Sequence, residues 1–311
     1  MTLNRLKIGT RKSPLALWQA EWVKATLLAS GDVESVELVK IVTSGDKILD
    51  VPLAQVGGTG LFTKEIEESL LNGGTDLAVH SLKDVPTLLP DGLKVDIISE
   101  RENPFDALIS RGVPFDDLPQ GAKIGTSSLR RRSQLKKARP DFEIVDIRGN
   151  VGTRLNKLDT ENLDAVILAA AGMIRMGHEK AVTHLLPPEI SIPAVGQGAL
   201  GIEIREGDTE IEEILRKNLH HQPTALCTTA ERSFLTKLEG GCQVPLGAFA
   251  QINNNSLEIE GFVADLDGVR YLRDKRSGAP DDAENLGREL AETLLAAGAD
   301  KILAEFYGKG S

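Results

Sequence analysis

Cysteine is nearly absent from the chain: Cys227 and Cys242 are the only two in 311 residues. Two thiols cannot build the multi-bridge framework of a small secreted domain, and their spacing does not suit a zinc site. Histidine offers no substitute, because His178, His184, His220 and His221 lack partners at ligand spacing, so no metal is expected. Long apolar runs are missing too, each broken by a charge well before the roughly eighteen residues that a membrane span needs. The opening Met1–Lys7 lacks the apolar core of a signal peptide, which predicts a cytoplasmic protein with no membrane contact. Basic excess is also lacking. With 36 Lys and Arg against 46 Asp and Glu, the net charge of −10 argues against a nucleic-acid partner. No Gly-x-Ser-x-Gly elbow, Walker loop or His-Glu-x-x-His signature occurs. Gly196–Gly201 does fit the GxGxxG string, but a strand pattern follows it where a dinucleotide site demands a helix.

What remains is ordinary globular material, 41% hydrophobic and 26% charged, long enough for two or three domains. Short β-branched runs alternate with amphipathic stretches through the first two hundred residues, which predicts parallel or mixed sheets covered by helices. Ile8-Gly9-Thr10 with Arg11 and Ser13 is echoed by Ile124-Gly125-Thr126 with Ser127, Ser128 and Arg130. Asp76–Val79 is echoed in the same order by Asp164–Ile167. The expected fold class is α/β: two similar doubly wound lobes of the periplasmic-binding-protein type, then a small C-terminal α+β domain with a three-stranded antiparallel sheet. The expected division is 1–100 with 199–219 for lobe 1, 104–193 for lobe 2 and 222–311 for the C-terminal domain. Coincidence between two ordinary strand-turn-helix units would also produce three-letter echoes.

Charge is distributed unevenly. Between Lys123 and Lys157 ten basic residues meet only Asp141, Glu143 and Asp146. Alone, such a window reads as a solvated face. Gly-Thr-x-x-Ser turns, however, offer backbone amides and hydroxyls at helix starts, where anions bind. Arg11 stands beside the first such turn and Arg130 and Arg131 beside the second, adding forked donors for carboxylates. A serine at either turn, taken singly, is an N-cap and nothing more. Arg148, Arg154 and Arg175 follow later strands, at the edge where α/β sheets bind ligands. The segment His80–Pro86 (HSLKDVP) places Ser81, Lys83 and Asp84 after another strand; Asp84 reads as a turn cap or as an ionised proton-handling carboxylate. On the loop Leu238–Pro245 (LEGGCQVP), Cys242 is bounded by glycine and accessible enough for covalent attachment, whereas Cys227 reads as buried and inert. Trp18 and Trp22 read as packing residues. Phe62, after a glycine-rich stretch, reads as core or as a lid aromatic.

Six stretches in order, Ile8–Ala20, His80–Pro86, Gly125–Arg131, Arg148–Leu158, Ile192–Ala199 and Leu238–Pro245, resemble the porphobilinogen deaminase (hydroxymethylbilane synthase) family. The resemblance spans nearly the whole chain. It implies a monomeric transferase of tetrapyrrole biosynthesis that condenses four porphobilinogen molecules head to tail, releasing ammonia and giving hydroxymethylbilane. It implies a dipyrromethane cofactor joined by thioether to Cys242, and it makes Asp84 the catalytic aspartate. Cofactor contacts carry over to Ser13, Lys83, Asp84, Thr126, Ser128, Arg130, Arg131 and Arg148. Substrate contacts carry over to Arg11, Ser13, Phe62, Ser81, Arg148, Arg154, Arg175 and Gln197. Because porphobilinogen carries acetate and propionate arms, a basic site in an acidic chain then makes sense.

Three positions depart from the family pattern. Thr59 stands where many members have Lys, Leu82 replaces a frequent Met, and Arg132 stands where a neutral residue is common, as an extra site cation or a solvated side chain. The competing reading is a non-catalytic two-lobed anion-binding protein. That reading calls for an export signal and has no use for a loop thiol on a third domain.

Overall fold

The computed structural model describes residues 3–47, 63–239 and 244–307; Thr59, Phe62 and Cys242 lie outside the described residues. In the first lobe, β1 (Leu6–Arg11), β2 (Val36–Ile41), β3 (Leu77–Ser81), β4 (Leu93–Ile98) and the much later β10 (Leu200–Arg205) form one sheet, ordered β2-β1-β3-β10-β4. The second sheet takes β5 (Asp106–Ile109), β6 (Lys123–Gly125), β7 (Glu143–Val145), β8 (Ala165–Ala169) and β9 (His184–Leu186), ordered β7-β6-β8-β5-β9. The two orders match strand for strand. In each, three adjacent strands are parallel. The strand that enters from the other lobe, β10 or β5, then runs antiparallel to both its neighbours. The Ile-Gly-Thr echo falls on β1 and β6, and the second echo on β3 and β8, so the echoes mark equivalent positions of two doubly wound lobes.

Helices α1 (Pro14–Ser30), α2 (Ser44–Lys47), α3 (Lys64–Leu71) and α7 (Thr209–Leu219) belong to the first lobe, and α4 (Leu129–Ala138), α5 (Val151–Thr160) and α6 (Ala170–Arg175) to the second. Strand alternation sends Ile8, Leu77, Val79 and Ile202 to one sheet face beneath Val23 and Leu27 of α1. It sends Ala78 to the other face beneath Ile66 and Leu70 of α3. Burying both faces is what permits largely apolar parallel strands. α1 starts at Ser13, whose hydroxyl accepts from the Ala16 amide, has Pro14 in its first turn and stops at Gly31 with φ 75°. Trp18 and Trp22, expected as packing residues, are 38% and 37% exposed and flank the buried stripe of α1.

The C-terminal residues form α8 (Gln222–Lys237), the antiparallel meander β11 (Leu246–Asn253), β12 (Ser256–Ala264) and β13 (Tyr271–Gly278), then α9 (Ala283–Ala296) and α10 (Ala299–Tyr307). Asn254 and Asn255 close the first hairpin at φ 49° and 61°, the left-handed pair of a tight turn. Phe234, Ile259, Leu290 and Leu294 fill its core. By contact density the chain divides into Met1–Glu102 with Ala199–Ala225, and Asn103–Gly198 with Leu226–Ser311. The C-terminal residues therefore share a compact unit with the second lobe, and the cut falls inside α8.

One reason lies in the turn joining β12 to β13. A Cβ on Gly268, at φ +68°, would sit 2.4 Å from the Ser133 carbonyl oxygen and 2.6 Å from the Lys137 amide nitrogen of α4. Gly268→Ala is expected to lose about 1–3 kcal/mol of stability, read as a lower denaturant midpoint. An unchanged midpoint would show that the turn does not press on the helix.

Candidate functional site

The first lobe brings four of the expected residues into one pocket. Arg11, at the end of β1, lines it with Ser13, Ser81 and Asp84, and the remaining wall comes from Leu15, Ala16, Gln19, Thr63, Val79 and His80. The pocket thus opens at the capped N-terminus of α1, whose unpaired amides favour negative charge. Ser81 is held by a 2.8 Å hydrogen bond from the buried Gln19 amide. Immediately after it, Leu82–Asp84 form a single 3-10 turn that anchors on Leu82, 1% exposed. Leu82 is a packing residue, as its exchange for methionine suggests. Lys83 is half-buried on that turn, and Asp84 is exposed with no hydrogen-bond or ion-pair partner among the described residues.

The second lobe gathers its residues around a carboxylate that the sequence reading passed over. Asp106, the first residue of β5, is fully buried. Arg130 straddles it with bonds of 2.8 and 3.1 Å, and Arg131 reaches it with bonds of 3.0 and 2.8 Å. Ser191 and Gln197 also donate to it, at 2.7 and 3.0 Å. Burial pushes this carboxyl up, but the guanidiniums of Arg130 and Arg131 outweigh burial and hold it well below the usual carboxylate range. Arg130 and Arg131 continue to the carbonyls of Ile192 and Ile167. Neither is a loose fork awaiting a ligand. They form a rigid buried group in which two cations face one anion, leaving a positive surplus.

That surplus sits in the first turn of α4, where Ser128 caps the helix and Thr126 directly follows β6. Arg148 follows β7, half-buried and with no ion pair among the described residues. The stretch Arg148–Arg154 carries two glycines, Gly149 and Gly152. Only Gly149, at φ +110°, turns; Gly152 lies inside α5, which Asn150 caps. Arg154 is therefore a helical residue, and Arg175 closes α6 with a 2.6 Å bond to the Gly198 carbonyl. Arg132 points elsewhere, 3.5 Å from Asp267 on the C-terminal hairpin. Cys227 is buried, as expected. No cluster suited to a metal ion is found among the described residues.

Two doubly wound lobes, each with a capped helix start and an arginine close by, define the class of this α/β protein. Comparison with known proteins narrows the class. Residues 6–213 match the family model described as porphobilinogen deaminase, dipyromethane cofactor binding domain, and residues 225–296 match the porphobilinogen deaminase C-terminal domain. The chain belongs to the porphobilinogen deaminase family. It is 57% identical over 307 residues to the porphobilinogen deaminase of Geotalea daltonii and 58% identical over 307 residues to that of Geobacter sulfurreducens, covering 99% of this chain and 96% of each relative. That of Trichlorobacter lovleyi is 57% identical, with 99% of this chain and 98% of the relative covered. Among solved structures, the methionine-binding protein MetQ aligns with a TM-score of 0.43 and 17% identity, over 69% of this chain and 89% of its own.

The family's cofactor is a dipyrromethane, a pair of linked pyrroles bearing carboxylate arms. The second lobe fits such a group on its own geometry: a buried surplus of positive charge, a capped helix N-terminus and Arg148, which has no ion pair among the described residues, all favour carboxylates. Arg148→Leu is expected to lower cofactor incorporation or product formation roughly tenfold or more, since each lost charged hydrogen bond is worth about 1.5–3 kcal/mol. Unaffected incorporation and turnover would place this arginine outside the site.

Proposed function

We propose that the chain is a transferase that couples four porphobilinogen molecules head to tail, releases ammonia at each coupling and yields hydroxymethylbilane. The observation that carries this reading is the exposed, unpartnered carboxylate of Asp84 in a pocket shared with Arg11, Ser13 and Ser81. A bound dipyrromethane, attached through Cys242, supplies the primer on which the chain of pyrroles grows.

Every other part of the work falls to side chains of this protein. Ser13, Lys83, Thr126, Ser128 and Arg148 are the residues that would hold the cofactor's carboxylates, drawn by the positive surplus of Arg130 and Arg131, with Asp84 facing its pyrrole nitrogens. Arg11, Ser13, Phe62, Ser81, Arg148, Arg154, Arg175 and Gln197 would orient incoming porphobilinogen through its acetate and propionate arms. Asp84 handles the amine and pyrrole protons, and its negative charge stabilises the cation left when ammonia departs. Under this reading residues 1–100 with 199–219 do the proton chemistry, 104–193 bind the anionic arms and 222–311 present the thiol. The enzyme would act as a cytoplasmic monomer. No helix among the described residues is long and apolar enough to cross a membrane.

The test is the intact mass of the denatured protein beside its Cys242→Ser variant. An excess of two deaminated porphobilinogen units, absent in the variant, is the expected result. A bare polypeptide mass that persists after incubation with porphobilinogen would move the anion-binding alternative ahead.

A further inference from the structure

Gly196–Gly201, which matches the GxGxxG string without the helix that a dinucleotide site demands, meets a carboxylate of this chain instead. Glu231 of α8 is 0% exposed, and its Oε2 accepts the Gly196 amide at 2.7 Å. Its Oε1 accepts the Ala250 amide of β11 at 2.9 Å. β11 is an edge strand with β12 on one side only, so a buried amide that faces away from β12 needs another acceptor. One carboxylate thus pins a helix and a strand of the C-terminal residues to a turn of the second lobe. Burying a charge is tolerated where hydrogen bonds compensate it, and bonds from amides to a carboxylate are roughly twice as strong as neutral ones.

The turn that Glu231 holds is tied down at two further points. Gly196 and Gly198 adopt φ +71° and +96°, so the chain folds back sharply. Between them Gln197, 1% exposed, donates to the Pro104 carbonyl at 2.7 Å and to Asp106 at 3.0 Å. The Gly198 carbonyl accepts Arg175 at 2.6 Å, and Arg175 is half-buried rather than enclosed. Apolar packing meets the same edge. The Phe249 ring lies 5.7 Å from that of Phe105, and a Cβ on Gly247 would come within 2.7 Å of the Pro193 carbonyl oxygen. Such packing sets distance, whereas the direction of the turn's amide and carbonyl is set by hydrogen bonds.

We propose that Glu231 is a positioning residue for substrate binding. By fixing the Gly196 amide it sets the Gly198 carbonyl, and through it the guanidinium of Arg175, to receive a carboxylate arm of porphobilinogen. The role rests on Arg175 contacting porphobilinogen, as in the function proposed above. Arg175 carries its donors in a rigid planar fork, so one bond to Gly198 fixes the plane in which the others point. A displaced fork weakens the hold on the arm and leaves the coupling chemistry alone. Glutamine at position 231 keeps the volume but has one acceptor oxygen for two amides, and its own amide group meets the second of them donor to donor.

The experiment uses full-length, cofactor-loaded Glu231→Gln, Arg175→Leu and their double variant, with loading checked by intact mass so that rates are per loaded molecule. In Glu231→Gln the KM for porphobilinogen is expected to rise about tenfold with kcat within about threefold of the parent, the pattern of lost binding rather than lost chemistry. A merely structural role would lower the loaded fraction and leave the KM of loaded molecules unchanged, which would overturn the proposal. The double variant should show the KM of Arg175→Leu alone, because a group acting through Arg175 then has nothing to position. Rises in KM that multiply would overturn it as well. Should Glu231→Gln fail to fold, Glu231→Asp, with the charge on a shorter arm, decides by the same two readouts. A parent protein that forms no hydroxymethylbilane sinks the proposed function itself. An active parent whose Arg175→Leu variant keeps the parental KM leaves that function standing and removes this role for Glu231.

Discussion

Asp106→Asn is expected to cost the second lobe about 3–5 kcal/mol, because removing one partner of a buried ionic group strands the others. The carboxylate receives Arg130, Arg131, Ser191 and Gln197 at once, so four side chains from three segments lose a common anchor. An asparagine fills the same space but leaves two buried guanidiniums facing no anion. For a unit of this size the loss corresponds to a fall in Tm of roughly 10 °C. The sign of its pH dependence follows from the depressed carboxyl. Its stabilisation is fully present above the unfolded value of about 3.9 and is lost as pH falls from there through the lower folded value. The gap in stability between parent and variant should therefore stay constant from neutrality to about pH 4 and narrow below it. Urea midpoints at several pH values check both points. A difference below about 1 kcal/mol would mean that the backbone carbonyls of Ile167 and Ile192 suffice to hold the arginines. The variant should also incorporate less cofactor, since the guanidiniums would no longer be fixed.

Much of this architecture was legible from residue order. The Ile-Gly-Thr echo and the echo of Asp76–Val79 by Asp164–Ile167 mark β1, β6, β3 and β8 because equivalent parallel strands need the same apolar pattern. The C-terminal meander showed through its Asn-Asn turn and its alternating strands. What the order of residues could not show is the strand that crosses over. β5 spans four residues and begins with a carboxylate, so local pattern reads Arg101–Asp106, broken by Asn103-Pro104, as a linker. Its burial comes from pairing with β8 and β9, a long-range event. α5 was hidden for a related reason: two glycines and two arginines look like a turn, and helix only wins once Asn150 caps it and Leu158 packs below.

The site divides the same way. Asp84, Arg11, Ser13 and Ser81 were identifiable singly, because each ends a strand or caps a helix, and the structure brings those four to one pocket. Arg130 and Arg131 were identifiable as cations but not as a committed pair. Two adjacent arginines in the first turn of a helix that buries Leu135 already imply a buried acid nearby, and that was the available signal for Asp106.

Asp84→Asn should separate folding from chemistry most sharply. The side chain is exposed and makes no hydrogen bond or ion pair with a described residue, so stability should change by less than about 0.5 kcal/mol. Turnover should nevertheless fall about 10²–10⁴-fold, the range that a positioned general acid–base group contributes. The amide keeps the shape of the carboxylate but can neither accept a proton nor face a developing cation with negative charge. Since the second effect exists only in the transition state, kcat and kcat/KM should fall together with KM little changed. Asp84→Glu retains the charge at a longer reach and should recover part of the rate, which an effect of shape alone would not allow. Turnover within tenfold of the parent would move the proton chemistry away from this turn. A loss confined to KM would recast Asp84 as a binding residue and leave the coupling to be driven by the arginine-rich lobe.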